Sequence, residues 1–147
     1  MGSKLALNNE LRRLVEARIE HTLRGIEDTL QQIIDKQEIS LKVIREDIQS
    51  LEESFNLLSQ KWNIEILYTL FLRNTLGFSG LKKTLEVNSR TLSDKLKSLK
   101  KHGYIVRTVE TGPPLRVEYA LTTKGKNIVL LALPLLYYSS SPISPEP

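Results

Sequence analysis

NSRTLSDKLKSLKKHG, residues 88–103, is the stretch on which the reading of the fold turns. Leu92, Leu96 and Leu99 recur at steps of four and three, which puts them on one side of a helix, while Arg90, Lys95, Lys97, Lys100 and Lys101 take the remaining surface. Asn88 and Ser89 suit an N-cap, because a short side-chain oxygen can accept from the unpaired amides of the first turn. Gly103 suits the position just past the end, where positive φ is needed, and Lys100, Lys101 and His102 match the negative end of the helix dipole. A short, capped, cationic helix fits the DNA major groove, with Ser89, Arg90, Thr91, Ser93 and Asp94 toward base edges and Lys95 and Lys97 nearer phosphates. The helix alone is equally consistent with a solvated basic face on an ordinary core helix. Its neighbours decide.

After Gly103 the pattern changes from helical to alternating. YIVRTV (104–109) and RVEYAL (116–121) are β-branched and aromatic, with Val117, Tyr119 and Leu121 on one face and Arg116 and Glu118 on the other. Gly112, Pro113 and Pro114 make the connection a loop rather than a tight turn. Before the basic helix, QKWNIEILYTLFLR (60–73) is too apolar to leave a polar face and is expected to be a central core helix. Asn74, Thr75 and Gly77 end it. Phe78 and Ser79 resemble a very short strand, residues 80–85 a short helix, and residues 86–88 the turn into the basic helix. A helix-turn-helix followed directly by a hairpin is the winged-helix arrangement, with Arg107 and Arg116 projecting beside the recognition helix.

The charge distribution agrees. Residues 1–59 carry eight Lys or Arg against eleven Asp or Glu, a net −3, whereas residues 60–126 carry thirteen against five, a net +8. Such a local excess is the electrostatic footprint of a polyanion binder. There is no cysteine, which excludes disulfides, thiol chemistry and Cys-based metal sites. His21 and His102 lack partners at metal-ligand spacing, so neither metal nor cofactor is expected. Glu110, Glu118 and Asp94 are too scattered for an acid–base pair, and no Gly-rich phosphate loop is present, which argues against an enzyme.

Upstream, residues 8–58 contain no proline and one glycine, Gly25. Val15, Ile19, Leu23, Ile26, Leu30, Ile33, Gln37, Leu41, Ile44, Ile48, Leu51, Phe55 and Leu58 follow steps of three and four, a coiled-coil seam with a stutter near Gln37. As one helix it would be about 65–70 Å long, and one apolar stripe has nothing to bury against by itself. Its partner is either its own second half or another chain; DKQEISLK offers no glycine or proline for a hairpin, which favours a homodimer, parallel or antiparallel. At the other end Thr122 caps a last helix beginning TKGK. IVLLALPLLYY (128–138), interrupted by Pro134, is too short to span a bilayer. Leu130, Leu131 and Leu135 are expected at a dimer interface, the alternative being that they complete the monomer core.

The expected organisation is a flexible N-terminus (1–7), a long coiled-coil helix (8–58), a winged-helix domain (59–126), an apolar C-terminal helix (127–138) and a disordered tail (139–147). The fold class is mainly α with a small antiparallel β-hairpin. Neither a membrane span nor a signal pattern is visible, so a cytoplasmic location is expected.

Several motifs together resemble the HxlR-type winged-helix transcriptional regulators, a branch of the MarR-like group. They are Lys61-Trp62 opening the first core helix, Phe78-Ser79-x-Leu81, Arg90-x-Leu92-Ser93 with Leu96 and Leu99, and Pro113-Pro114-x-Arg116-Val117-Glu118-Tyr119-x-Leu121-Thr122-x-x-Gly125. The resemblance covers roughly residues 57–138. It implies a dimeric DNA-binding protein, with Arg90 and Ser93 as DNA contacts and Arg116 on the wing. Two departures stand out: the thiol with which such regulators often sense oxidants is absent, and Ser59-Gln60 replaces two glycines before Lys61-Trp62. The long N-terminal seam is not a feature of the family.

The resulting expectation is a homodimeric, sequence-specific regulator of double-stranded DNA. Lys82, Lys83 and Lys101 would add backbone contacts, and Leu23, Ile26, Leu30, Ile33, Leu41, Ile44, Ile48 and Leu51 would hold the dimer. A sequence-tolerant architectural DNA-binding protein and a winged-helix protein-interaction scaffold are the alternatives. No small-molecule effector is named by the sequence.

Overall fold

The computed structural model describes residues 9–36 and 40–140. Its elements run α1 (Asn9–Lys36), α2 (Leu41–Ser59), α3 (Asn63–Arg73), β1 (Thr75–Leu76), α4 (Phe78–Leu85), α5 (Ser89–Lys101), β2 (Ile105–Glu110), β3 (Arg116–Leu121) and α6 (Thr123–Ser140). Residues 1–50 and 51–147 form separate compact units. Among the described residues no helix is long and apolar enough to cross a membrane.

In the second unit, Ile66, Leu67 and Leu70 of α3 pack with Leu81 of α4, with Leu92, Leu96 and Leu99 of α5, and with Ile105 and Val129. Full burial of such side chains stabilises by about 1.5–3 kcal/mol each, so the leucine spacing of α5 fixes which of its faces is left for solvent. Both ends of α5 are closed by the residues expected. The Asn88 side chain accepts from the Thr91 amide at 2.8 Å. At the other end Gly103 has φ of 81°, and the amides of Gly103 and Tyr104 return to the carbonyls of Lys100 and Leu99. That pattern is a Schellman closure.

The sheet has the order β1-β3-β2, antiparallel throughout. Its shortest strand is Thr75–Leu76, paired with Ala120 and Tyr119, not Phe78–Ser79 as expected. Phe78 instead opens α4, because extended Gly77 starts that helix by accepting from the Leu81 amide at 3.1 Å. Two residues carry too little alternation to reveal their register; pairing with β3 supplies it. The turn between α4 and α5 passes through Glu86 at φ 55° and buried Val87.

Three further corrections concern helix boundaries. The core helix begins at Asn63 rather than Gln60, since Trp62 adopts φ of 81°. The buried Asn63 amide donates to the Leu57 carbonyl at 2.7 Å, tying the end of α2 to the start of α3. Positive φ falls on Trp62 and not on Ser59 or Gln60, so glycines are not required at those two positions. Secondly, the N-terminal seam lies on two helices rather than one. Ser40 caps the second, its hydroxyl accepting from the Val43 amide at 3.3 Å and its carbonyl from the Ile44 amide at 3.2 Å. The expected stutter at Gln37 lies outside the described residues, as do residues 1–7 and 141–147. Thirdly, α6 continues through Pro134 to Ser140, taking in the start of the expected tail; a proline removes one helical hydrogen bond without having to end the helix.

Thr122 joins the wing to α6. Its hydroxyl donates to the Gly103 carbonyl at 2.6 Å and accepts from the Gly125 amide at 3.0 Å, while its own amide donates to the Tyr104 carbonyl at 3.1 Å. Thr122→Val keeps the shape and removes both hydroxyl bonds. It is expected to cost about 1–2 kcal/mol, read as a fall in melting temperature of roughly 4–16 °C for a unit of this size.

Candidate nucleic-acid interface

With Leu92, Leu96 and Leu99 buried, the 3.6-residue repeat turns Arg90, Asp94, Lys97 and Lys101 to the opposite side of α5. All four are exposed. Thr91, Lys95 and Ser98 lie along one flank and Ser89, Ser93 and Lys100 along the other. Lys95, expected among the DNA contacts, donates to the Gln60 side chain at 3.0 Å and so is engaged within its own chain. Among the described residues, Arg90, Lys97, Lys100, Lys101, Arg107 and Arg116 form no ion pair. Lys82 and Lys83 are exposed in the last turn of α4.

Strand register sorts the two wing arginines. Ile105 pairs with Leu121, Arg107 with Tyr119 and Val109 with Val117, all on the hairpin face whose inner end is the buried Ile105. Arg116 pairs with Glu110 on the other face. Arg107 and Arg116 therefore do not share a surface: Arg107 borders α5, and Arg116 lies opposite a carboxylate at the outer end of the hairpin.

The first of these faces meets α5 in a notch of about 350 Å³, lined by Ser93, Leu96, Lys97 and Lys100 from the helix and by Arg107 and Tyr119 from the hairpin. Lys100 and Tyr119 were not among the expected contacts. Both were findable: Ser93, Lys97 and Lys100 are spaced four and three apart, and the hairpin register places Tyr119 beside Arg107. Lys124, in the first turn of α6, donates to the His102 carbonyl at 3.1 Å and lies 4.7 Å from the centroid of the Tyr104 ring, contacts that hold it at the junction of α5 and β2.

The expected dimerisation residues are exposed in the single chain. Leu23, Ile26, Leu30 and Ile33 form an open apolar stripe on α1, and Leu41, Ile44, Ile48 and Leu51 continue one on α2. Residues 128–136 of α6 are all apolar, with Leu130, Leu131 and Leu135 outside the core. Leu131 and Leu135 help line an apolar cavity of about 230 Å³ with Phe55, Leu58 and Ile64.

Against known proteins, residues 57–144 match the model of the HxlR-like helix-turn-helix family. The chain is 33% identical over 78 residues to YdzF, an uncharacterised HTH-type transcriptional regulator of Bacillus subtilis, covering 52% of this chain and 72% of YdzF. It is 37% identical over 76 residues to YvaP, another such regulator of Bacillus subtilis, covering 51% and 69%. The fold is similar to that of the reduced form of the transcriptional regulator YodB from B. subtilis, with a TM-score of 0.59 and 23% identity over 74% of this chain and 99% of YodB.

Proposed function

Because the chain belongs to the HxlR-like helix-turn-helix family and is thereby a DNA-binding transcriptional regulator, we propose that it acts as a homodimer reading a specific double-stranded site. The observation that carries this reading is the outer face of α5, where Arg90, Asp94, Lys97 and Lys101 are exposed opposite the core stripe. Two such helices would enter successive major grooves about 34 Å apart. Arg90 and Ser93, near the helix N-terminus, read base edges. Lys82, Lys83, Lys97 and Lys101 add phosphate contacts, which raise affinity and salt dependence without reading sequence.

Asp94 favours specific over architectural binding. A carboxylate on the groove-facing side of the helix repels phosphates, and the partner it suits is an exocyclic amino group such as that of cytosine. A protein built only for backbone contact gains nothing from it. The apolar stripes on α1 and α2, with the exposed leucines of α6, support the second copy as the other half of the assembly. The absence of cysteine removes any thiol-based response, so whatever modulates binding acts without one.

Arg90→Ala is the direct test of base reading. On the preferred duplex, obtained by selection from a random pool, it is expected to cost about 1–3 kcal/mol, with a much smaller loss on scrambled sequence. Equal losses on both duplexes would make Arg90 a phosphate contact and sink its role in specificity.

A further inference from the structure

The notch between α5 and the hairpin is built for an anion, and we infer that it seats one phosphate group, held by Lys97, Lys100 and Arg107 with Ser93 and Tyr119 as hydroxyl donors. The inference deepens the DNA reading above, because one source of that phosphate is the duplex backbone. The other is a free phosphate or phosphate ester.

Convergence of charge is the first argument. Two lysines one turn apart on α5 and an arginine from β2 line the same space, and no carboxylate lines it with them. Asp94 points along the outer face of α5, while Glu118 pairs with Thr108 on the far face of the hairpin. Three like charges around one opening repel each other, and a single anion between them converts that repulsion into attraction.

Chemistry and shape are the second. Ammonium, guanidinium and hydroxyl groups are all donors, and a phosphate offers several acceptor oxygens in a tetrahedral array, matching donors arriving from two walls. The volume of about 350 Å³ is some ten times the ~30 Å³ share of one water, so the group enters with part of its hydration. Buried Leu96 closes the floor. The notch lies on the flank of α5, to one side of Arg90 and Asp94 on the outer face, with Ser93 and Lys97 bordering both surfaces.

The site is built rather than incidental on the hairpin side. Cross-strand pairing of Arg107 with Tyr119 holds the two next to each other, one pair outward from the buried Ile105–Leu121 pair. Moving the register by a single residue would turn both away from α5.

Lys100→Gln and Arg107→Gln change exposed side chains, so folding should be retained, as an unchanged melting curve would verify. Each variant is titrated with fluorescent duplex over a range of chloride concentrations, and again at fixed ionic strength with inorganic phosphate replacing chloride. If the backbone supplies the group, each variant lowers the salt slope by about one. A duplex with a neutral methylphosphonate at the matching phosphate then weakens wild-type binding more than it weakens binding of the Lys100→Gln variant, in which Lys97 and Arg107 alone remain to lose that contact. If a free anion is the occupant, salt slopes stay as in the wild type, and phosphate shifts duplex affinity in the wild type only. Calorimetric titration of inorganic phosphate into the protein without DNA reads the notch independently. A wild type that binds no duplex but takes up phosphate lost in both variants would end the DNA reading and keep the notch. Unchanged salt slopes together with no phosphate response would overturn it.

Discussion

Ile26→Asp combined with Ile48→Asp is expected to leave a monomer whose affinity for the selected duplex is lower by about 10²–10⁴, because two linked recognition helices become one. Ile26 is 51% exposed and Ile48 50% exposed in the single chain, so neither aspartate enters that chain's own core. In a dimer pairing the stripes of α1 and α2, each would be taken out of water without a partner, at a cost of several kcal/mol per ion. Sedimentation equilibrium reads the assembly and a duplex titration reads the consequence. Melting of the unit formed by residues 51–147 should be unaffected. If the variant remains dimeric, the seam is not the interface, and the apolar surface of α6 becomes the one to mutate, through Leu131 and Leu135.

Gly125→Ala should produce the largest loss of stability from a single methyl group. Helix propensity alone would make the change favourable by about 1 kcal/mol, as Gly125 lies in the first turn of α6. The surroundings reverse the sign. A Cβ at this position runs into the Tyr104 carbonyl oxygen and comes within 3.0 Å of its carbon and 3.3 Å of a Leu121 methyl. That carbonyl is fixed by the Thr122 amide, so the backbone at the junction of α5, β2 and α6 has to open. A loss of about 3 kcal/mol or more follows from forced overpacking against backbone, a fall of at least 10–20 °C in melting temperature. A stabilised protein would show that this close approach does not exist. The Leu121-Thr122-x-x-Gly125 motif is thus explained by packing: the threonine closes the helix start, and the glycine lets α6 pass the Tyr104 backbone.

Much of the winged unit was legible because its signals are local. The leucine spacing of α5, its Asn88 cap and the glycine at 103 are each written within a few residues, as is the alternation of Arg116–Leu121. What escaped depends on partners far along the chain. Strand β1 exists because β3 is beside it, and Trp62 takes positive φ where Asn63 must reach the Leu57 carbonyl. The break before α2 was written in Ser40, a good cap followed by Leu41, but a three-and-four repeat running on through Gln37 to Leu41 concealed it. For the candidate interface, the sequence supplied the cations without saying which share a surface. Register separates Arg107 from Arg116, Gln60 draws Lys95 aside, and Lys100 with Tyr119 joins the notch.

The most direct test of a sequence-reading dimer is an anisotropy titration of the wild-type protein against its selected duplex and a scrambled one, across about 50–300 mM salt. A preference for the selected duplex on the order of 10³ or more, retained as salt rises while both affinities fall, is the predicted result. Equal affinity for both duplexes at every salt concentration would contradict it and leave an architectural DNA-binding protein in its place.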